Sequence, residues 1–160
     1  MGQIEARLTE LGLQLPAAAK PPPGVVLPFP FVRVHGDRAF VSGHGPLAAD
    51  GTFAPPLGRV GREVTPDQAR DAARLTGLAI LASLKAALGE LDRVDAWLRV
   101  FGMVNAVPEF DAFPAVINGF TELVLELYGP DRGAHARSAI GVAGLPFGIP
   151  VEIEAEVLIR

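Results

Sequence analysis

The stretch Val151-Glu152-Ile153-Glu154-Ala155-Glu156-Val157-Leu158-Ile159 alternates apolar and acidic residues until its last two positions. A β-strand sends successive side chains to opposite faces, so Val151, Ile153, Ala155 and Val157 share one face and three glutamates share the other. The segment is a strand with one buried face. Three carboxylates in line repel each other if buried together. A solvated face of an edge strand accommodates them. The alternative sets one glutamate, partly buried, beside a cation, where it orients a water molecule. Arg137 is the candidate cation, and a guanidinium also binds a carboxylate through two parallel hydrogen bonds.

Working back from that strand, Gly144 to Pro150 is a loop with two prolines, and Ser138 to Val142 is a short strand. Phe113 to Tyr128 has helical character and stops at Gly129-Pro130. Val94 to Val104, aromatic and β-branched with Arg99 as its one interior charge, is a buried strand. Thr65-Pro66-Asp67-Gln68 opens a helix that runs to Leu88, with Gly89 as its stop. Threonine caps, proline fits the first turn, and glutamine occupies the capping-box position. Phe31–Val34 and Ala39–Ser42 form a hairpin around His35–Arg38. The order is β-β-α-β-α-β-β, an α+β mixed sheet with both long helices on one face.

Ahead of this unit lies an extension, residues 1–29. Residues 3–13 are a short amphipathic helix with Gly12 as its stop, and five of the residues from Pro16 to Pro28, both included, are proline. That run is extended and without its own core, a strap laid over the domain. No basic or repeated PxxP context supports a ligand for a proline-binding module. The remainder, 30–160, is a single domain.

Composition narrows the function. The chain has 160 residues, 49% of them hydrophobic and 20% charged, which excludes a disordered chain. Its mean hydropathy is +0.32. The apolar content and the bare second face of the sheet both point to self-association. There is no cysteine, hence no thiolate nucleophile or cysteine metal site. The net charge of −4 speaks against a nucleic-acid binder. No apolar run suggests a signal peptide or membrane span, so the expected compartment is the cytoplasm. His35, His44 and His135 match no helical metal-site spacing, and no metal or cofactor is expected. Ser42 lies in no G-x-S-x-G elbow, and its plain role is a strand-end hydrogen bond.

Several of these residues together resemble the RidA/YjgF family. They are His135-Ala-Arg137-Ser138-Ala-Ile-Gly-Val142-Ala-Gly-Leu145-Pro146, the following Val151-Glu152-Ile153-Glu154-Ala155, the hairpin end Val41-Ser42-Gly43, and Ile117-Asn118 on the second helix. The resemblance spans residues 30–160. It implies a chorismate-mutase-like fold, a homotrimer whose sheets pack into a central barrel, and ligand clefts between subunits. It implies hydrolysis of reactive enamines and imines to 2-oxo acids and ammonia, without a cofactor. Carried over, Arg137 binds the substrate carboxylate, Glu152 holds a water, Ser42 and Gly43 line the cleft, and Asn118 lies near it.

Some positions depart from the family. Its active hydrolases carry a tyrosine before the first strand, whereas Phe29, Pro30 and Phe31 stand in that region here and the single tyrosine is Tyr128. Ala139 replaces a common cysteine, and His44 replaces a glutamine. His44 is therefore a candidate acid/base group, or a strand-end histidine bonded to backbone. The apolar entrance favours a bulkier ligand than a two- or three-carbon imino acid. A non-catalytic binder of carboxylate or aromatic ligands is the alternative, and endoribonuclease activity, a description given to some relatives, fits the acidic charge poorly.

Overall fold

A computed structural model of the chain describes residues 2–160. Its elements run α1 (Gln3–Glu10), β1 (Val32–His35), β2 (Arg38–His44), α2 (Pro66–Leu88), β3 (Val94–Asn105), α3 (Phe113–Arg132), β4 (Ala136–Val142) and β5 (Val151–Ile159). The five strands form one sheet in the order β1-β2-β5-β3-β4. The β5 strand pairs antiparallel with both β2 and β3, while β3 and β4 are parallel through the α3 crossover. This is the expected α+β architecture, with a mixed sheet and both long helices on one face.

The acidic strand is central in the sheet rather than at its edge. Its apolar residues Val151, Ile153 and Val157 are fully buried beneath the helices. A strand paired on both sides satisfies its backbone groups on both edges, and its alternation still leaves one face for carboxylates.

Local rules account for most boundaries. The Thr65 side chain accepts the Gln68 N–H at 3.1 Å, and the Gln68 side chain accepts the Thr65 N–H at 2.9 Å, a complete capping box. The α1 helix ends at Glu10, sooner than its sequence suggests. Gly12 turns left-handed at φ 66°. The Leu13 N–H then returns to Leu8 O at 2.9 Å and the Gly12 N–H to Thr9 O at 3.0 Å, a Schellman closure. The α3 helix breaks at Gly129 (φ 75°) as expected, yet takes one further turn to Arg132. That turn carries the Arg132 guanidinium to Asp92 O at 3.2 Å and over the Tyr128 ring at 5.3 Å.

The core lies between the helices and the sheet. Trp97 on β3 meets Phe120 and Tyr128 edge-on, with ring centroids 5.6 and 5.8 Å away. Close helix approach depends on glycine: a Cβ at Gly119 on α3 would collide with the Arg70 carbonyl oxygen on α2. The α1 helix buries Ile4 and Leu8 against this body. The proline-rich strap follows, tied down by Ala17 N–H to Ala49 O at 3.0 Å and Lys20 N–H to Gly51 O at 2.9 Å.

Among the described residues no helix covers the second face of the sheet. Phe40 and Ile140 remain 44% and 40% exposed there, beside Phe101, Met103 and the three glutamates. No helix among the described residues is long and apolar enough to cross a membrane.

Candidate functional site

The geometry divides the expected residues into two groups. The first forms around β4 and α3. Arg137 sits opposite Val100 in the parallel β3–β4 register, which turns its side chain toward the helices. Its Nη1 donates to Asn118 Oδ1 at 2.8 Å and to Thr121 Oγ1 at 3.0 Å. Its Nη2 has only a long 3.4 Å contact to Pro114 O. No carboxylate pairs with it among the described residues. Desolvation lowers its proton affinity somewhat, and a guanidinium stays charged regardless. Ala139, two residues along β4, turns to the same face and packs partly against the core.

Thr121 and His135 complete this group; sequence reading passed over Thr121 and weighed His135 only as a metal ligand and as part of the family-like segment. His135 Nδ1 lies 2.7 Å from Gly133 O, which can only accept, so Nδ1 carries the proton. Nε2 then accepts from the Thr121 hydroxyl at 3.0 Å, which leaves the Thr121 oxygen to receive Arg137. Burial, with the Arg137 charge beside it, pushes the His135 pKa down and keeps the ring neutral; the bond to Gly133 opposes this in part. The available signal was spacing, since Thr121 lies three residues after Asn118 on one helix face.

The second group lines a cavity of about 350 Å³ at the far end of β2 and β5, where Gly43, His44 and Glu152 meet the strap. Glu152 pairs with Met103 across β5–β3, on the face away from the helices. Burial, and to a lesser degree Glu154, raises its pKa above the ordinary carboxylate value. Gly43 lets the Glu152 side chain lie close against the β2 backbone: a Cβ there would stand 2.7 Å from Glu152 Oε1 and displace the carboxylate. Arg137 and Glu152 thus lie on opposite faces of one sheet, and the chain does not bring them together within itself. Arg137 is not the cation beside a glutamate: Arg38 is, holding Glu156 at 2.6 Å.

His44 is bound tightly. A bulge between Val41 and His44 inserts one residue into β2 and swings the ring to the helix side. Nδ1 lies 2.6 Å from Ser42 O and Nε2 2.8 Å from Ser83 Oγ on α2, with the Phe31 ring 4.9 Å away. Desolvation dominates and lowers its pKa to about 4. Both nitrogens are committed and the ring is neutral near pH 7, which is the geometry of a strand-end histidine bonded to backbone. Ser42 also takes the plain role, its hydroxyl donating to Pro30 O at 2.9 Å. Tyr128 is no substitute for the missing tyrosine. It is buried, donates to Leu91 O at 3.2 Å, and its pKa is pushed up by desolvation.

Comparison with known proteins supplies the kinship. No family model matches the chain. It is 38% identical over 156 residues to Protein TCP17 of Trypanosoma cruzi, covering 98% of this chain and 94% of that protein. Among solved structures, the Agrobacterium tumefaciens protein Atu1372, of unknown function, is 39% identical with a TM-score of 0.85, over 98% of this chain and 92% of that one. A proposed endoribonuclease from Shewanella oneidensis is 26% identical with a TM-score of 0.89, over 99% of this chain and 100% of that one. The strap and α1 are therefore shared with relatives. With the Arg137-Ser138 element on β4 and the Glu152-Ile153-Glu154-Ala155 element on β5, the two strands that flank β3 in this sheet, the chain belongs to the RidA/YjgF family.

Proposed function

We propose that the chain hydrolyses reactive enamine or imine intermediates to 2-oxo acids and ammonia, in a cytoplasmic homotrimer whose clefts lie between subunits. The observation that carries this reading is Arg137: a guanidinium held from behind by Asn118 and Thr121, with no carboxylate partner of its own among the described residues. Such a group is preorganised to take a substrate carboxylate. The imine carbon is already electrophilic. A water positioned by Glu152 adds to it, the carbinolamine collapses, and ammonia leaves as the carbonyl forms. A carboxyl with a raised pKa suits the proton transfers of these steps. Because Arg137 and Glu152 of one chain lie on opposite sheet faces, the reaction requires Arg137 of one copy to approach Glu152 of another. The uncovered apolar sheet face supports that association.

The test is a coupled assay in which a pyridoxal-phosphate enzyme generates imines from several amino acids. The chain should accelerate 2-oxo acid release, and Arg137→Ala should lose about 100-fold or more, as misplacement of a substrate does. No acceleration, or equal acceleration by Arg137→Ala, overturns the reading. Light scattering should give three times the 16.8 kDa chain mass.

A second reading, a binding protein without catalysis, is favoured by the commitment of both His44 nitrogens and the burial of Tyr128, which leave no familiar acid near Arg137. It predicts carboxylate binding that depends on Arg137 with no turnover.

A further inference from the structure

The cavity beside Glu152 has a composition that the hydrolysis of small imines does not need. Its volume is about 350 Å³. A dry apolar cavity of ~150 Å³ already holds benzene, so this one has room for a ring and a short chain. The strap supplies much of the wall through Leu27 and Phe29, Phe31 adds to it just before β1, and Phe53 and Phe147 come from the loops opposite. Phe147 takes a left-handed backbone at φ 58°, unusual for a bulky residue, and its ring lies 5.4 Å from that of Phe53. Phe29 and Phe147 are each 46% exposed at the rim. An apolar ligand would cover both rings and gain from removing them from water.

The polar lining is sparse and specific. His44 has both ring nitrogens engaged within the protein. Glu152 accepts no hydrogen bond from a protein side chain and forms no ion pair among the described residues, even with Lys20 on the same cavity wall. A half-buried carboxylate without a partner, facing aromatic walls, selects a ligand that brings an N–H donor or a cation.

We propose that this cavity takes an arylalkyl or branched-alkyl group bearing a basic nitrogen, with the nitrogen on Glu152 and the apolar body under the strap. The substrates are then imines or enamines of bulky apolar amino acids, and the strap is a specificity-determining element. The substrate assignment rests on the imine-hydrolase reading; the binding of stable amines does not.

Calorimetric titration of the full chain with phenethylamine, ethylamine and phenethyl alcohol separates the contributions. Phenethylamine should bind at least about 10-fold more tightly than either of the others. Glu152→Gln should abolish the preference for amine over alcohol. Leu27→Trp, which fills the cavity from the strap, and Phe29→Ala, which removes a rim ring, should each weaken phenethylamine, with circular dichroism checking that both variants fold. Equal binding of phenethylamine and ethylamine, or indifference to these substitutions, overturns the proposal. Hydrolysis of small imines without aryl-amine binding sinks the cavity assignment and leaves the hydrolase reading standing. Aryl-amine binding with no hydrolysis of any imine does the reverse.

Discussion

Acid should weaken this fold through His44, and the size of the effect follows from where the ring sits. In the unfolded chain the imidazole takes up a proton near its ordinary pKa of 6.5, and in the native protein only near 4. Above pH 6.5 neither state is protonated, and His44 contributes no pH dependence. As the pH falls from 6.5 toward 4, the unfolded state gains a proton that the native state refuses, so native stability drops throughout that window. The gap corresponds to about 3 kcal/mol at the acid end. That is a large part of the ~5–15 kcal/mol by which domains are stable.

His44→Gln removes the titration and keeps groups able to bond Ser42 O and Ser83 Oγ. Urea unfolding followed by the single, buried Trp97, at fixed protein concentration and stepped pH, measures both proteins. The difference in unfolding free energy, wild type minus variant, should fall by about 3 kcal/mol between neutral pH and pH ~4. Subtracting the variant cancels the carboxylates, including Glu152, whose raised pKa acts in the opposite direction. Parallel pH profiles would refute the reasoning. They would mean that the ring titrates normally and is free to exchange protons with the cavity, which would restore the acid/base role expected from its position after Ser42-Gly43.

Two further substitutions probe the supports of the site. Thr121→Val takes one hydrogen bond from Arg137 and the Nε2 partner from His135; pyruvate affinity should fall about 10-fold by calorimetry, and unchanged affinity would show that Asn118 alone orients the guanidinium. Gly119→Ala drives a methyl into the Arg70 carbonyl oxygen, a backbone atom that cannot rotate away; urea unfolding should show a net loss of ~1–3 kcal/mol despite alanine's better helix propensity, and a gain would show that α2 and α3 part without cost.

Period and punctuation made most of the elements legible. The alternation over 151–159, the capping box at Thr65–Gln68 and the break at Gly129-Pro130 are local, and each appears where the residues call for it. The grouping of Arg137 with Asn118 also follows the sequence resemblance. What was not legible depends on contacts far apart in the chain. The extra α3 turn to Arg132 answers to carbonyls near residue 92.

Alternation tells which residues of one strand share a face. It does not tell which face of the sheet that is, because a register shift or a bulge of one residue inverts the answer. The bulge in β2 settled His44 into the strand-end role of its two expected ones, and the parallel register of β4 on β3 set Arg137 on the side opposite Glu152. The cavity is tertiary in the same sense. The sequence by itself determined the strands, the helices and an apolar strap; only the folded chain decided that the strap closes over Glu152, because hydrogen bonds and packing between distant segments choose the side on which each group ends.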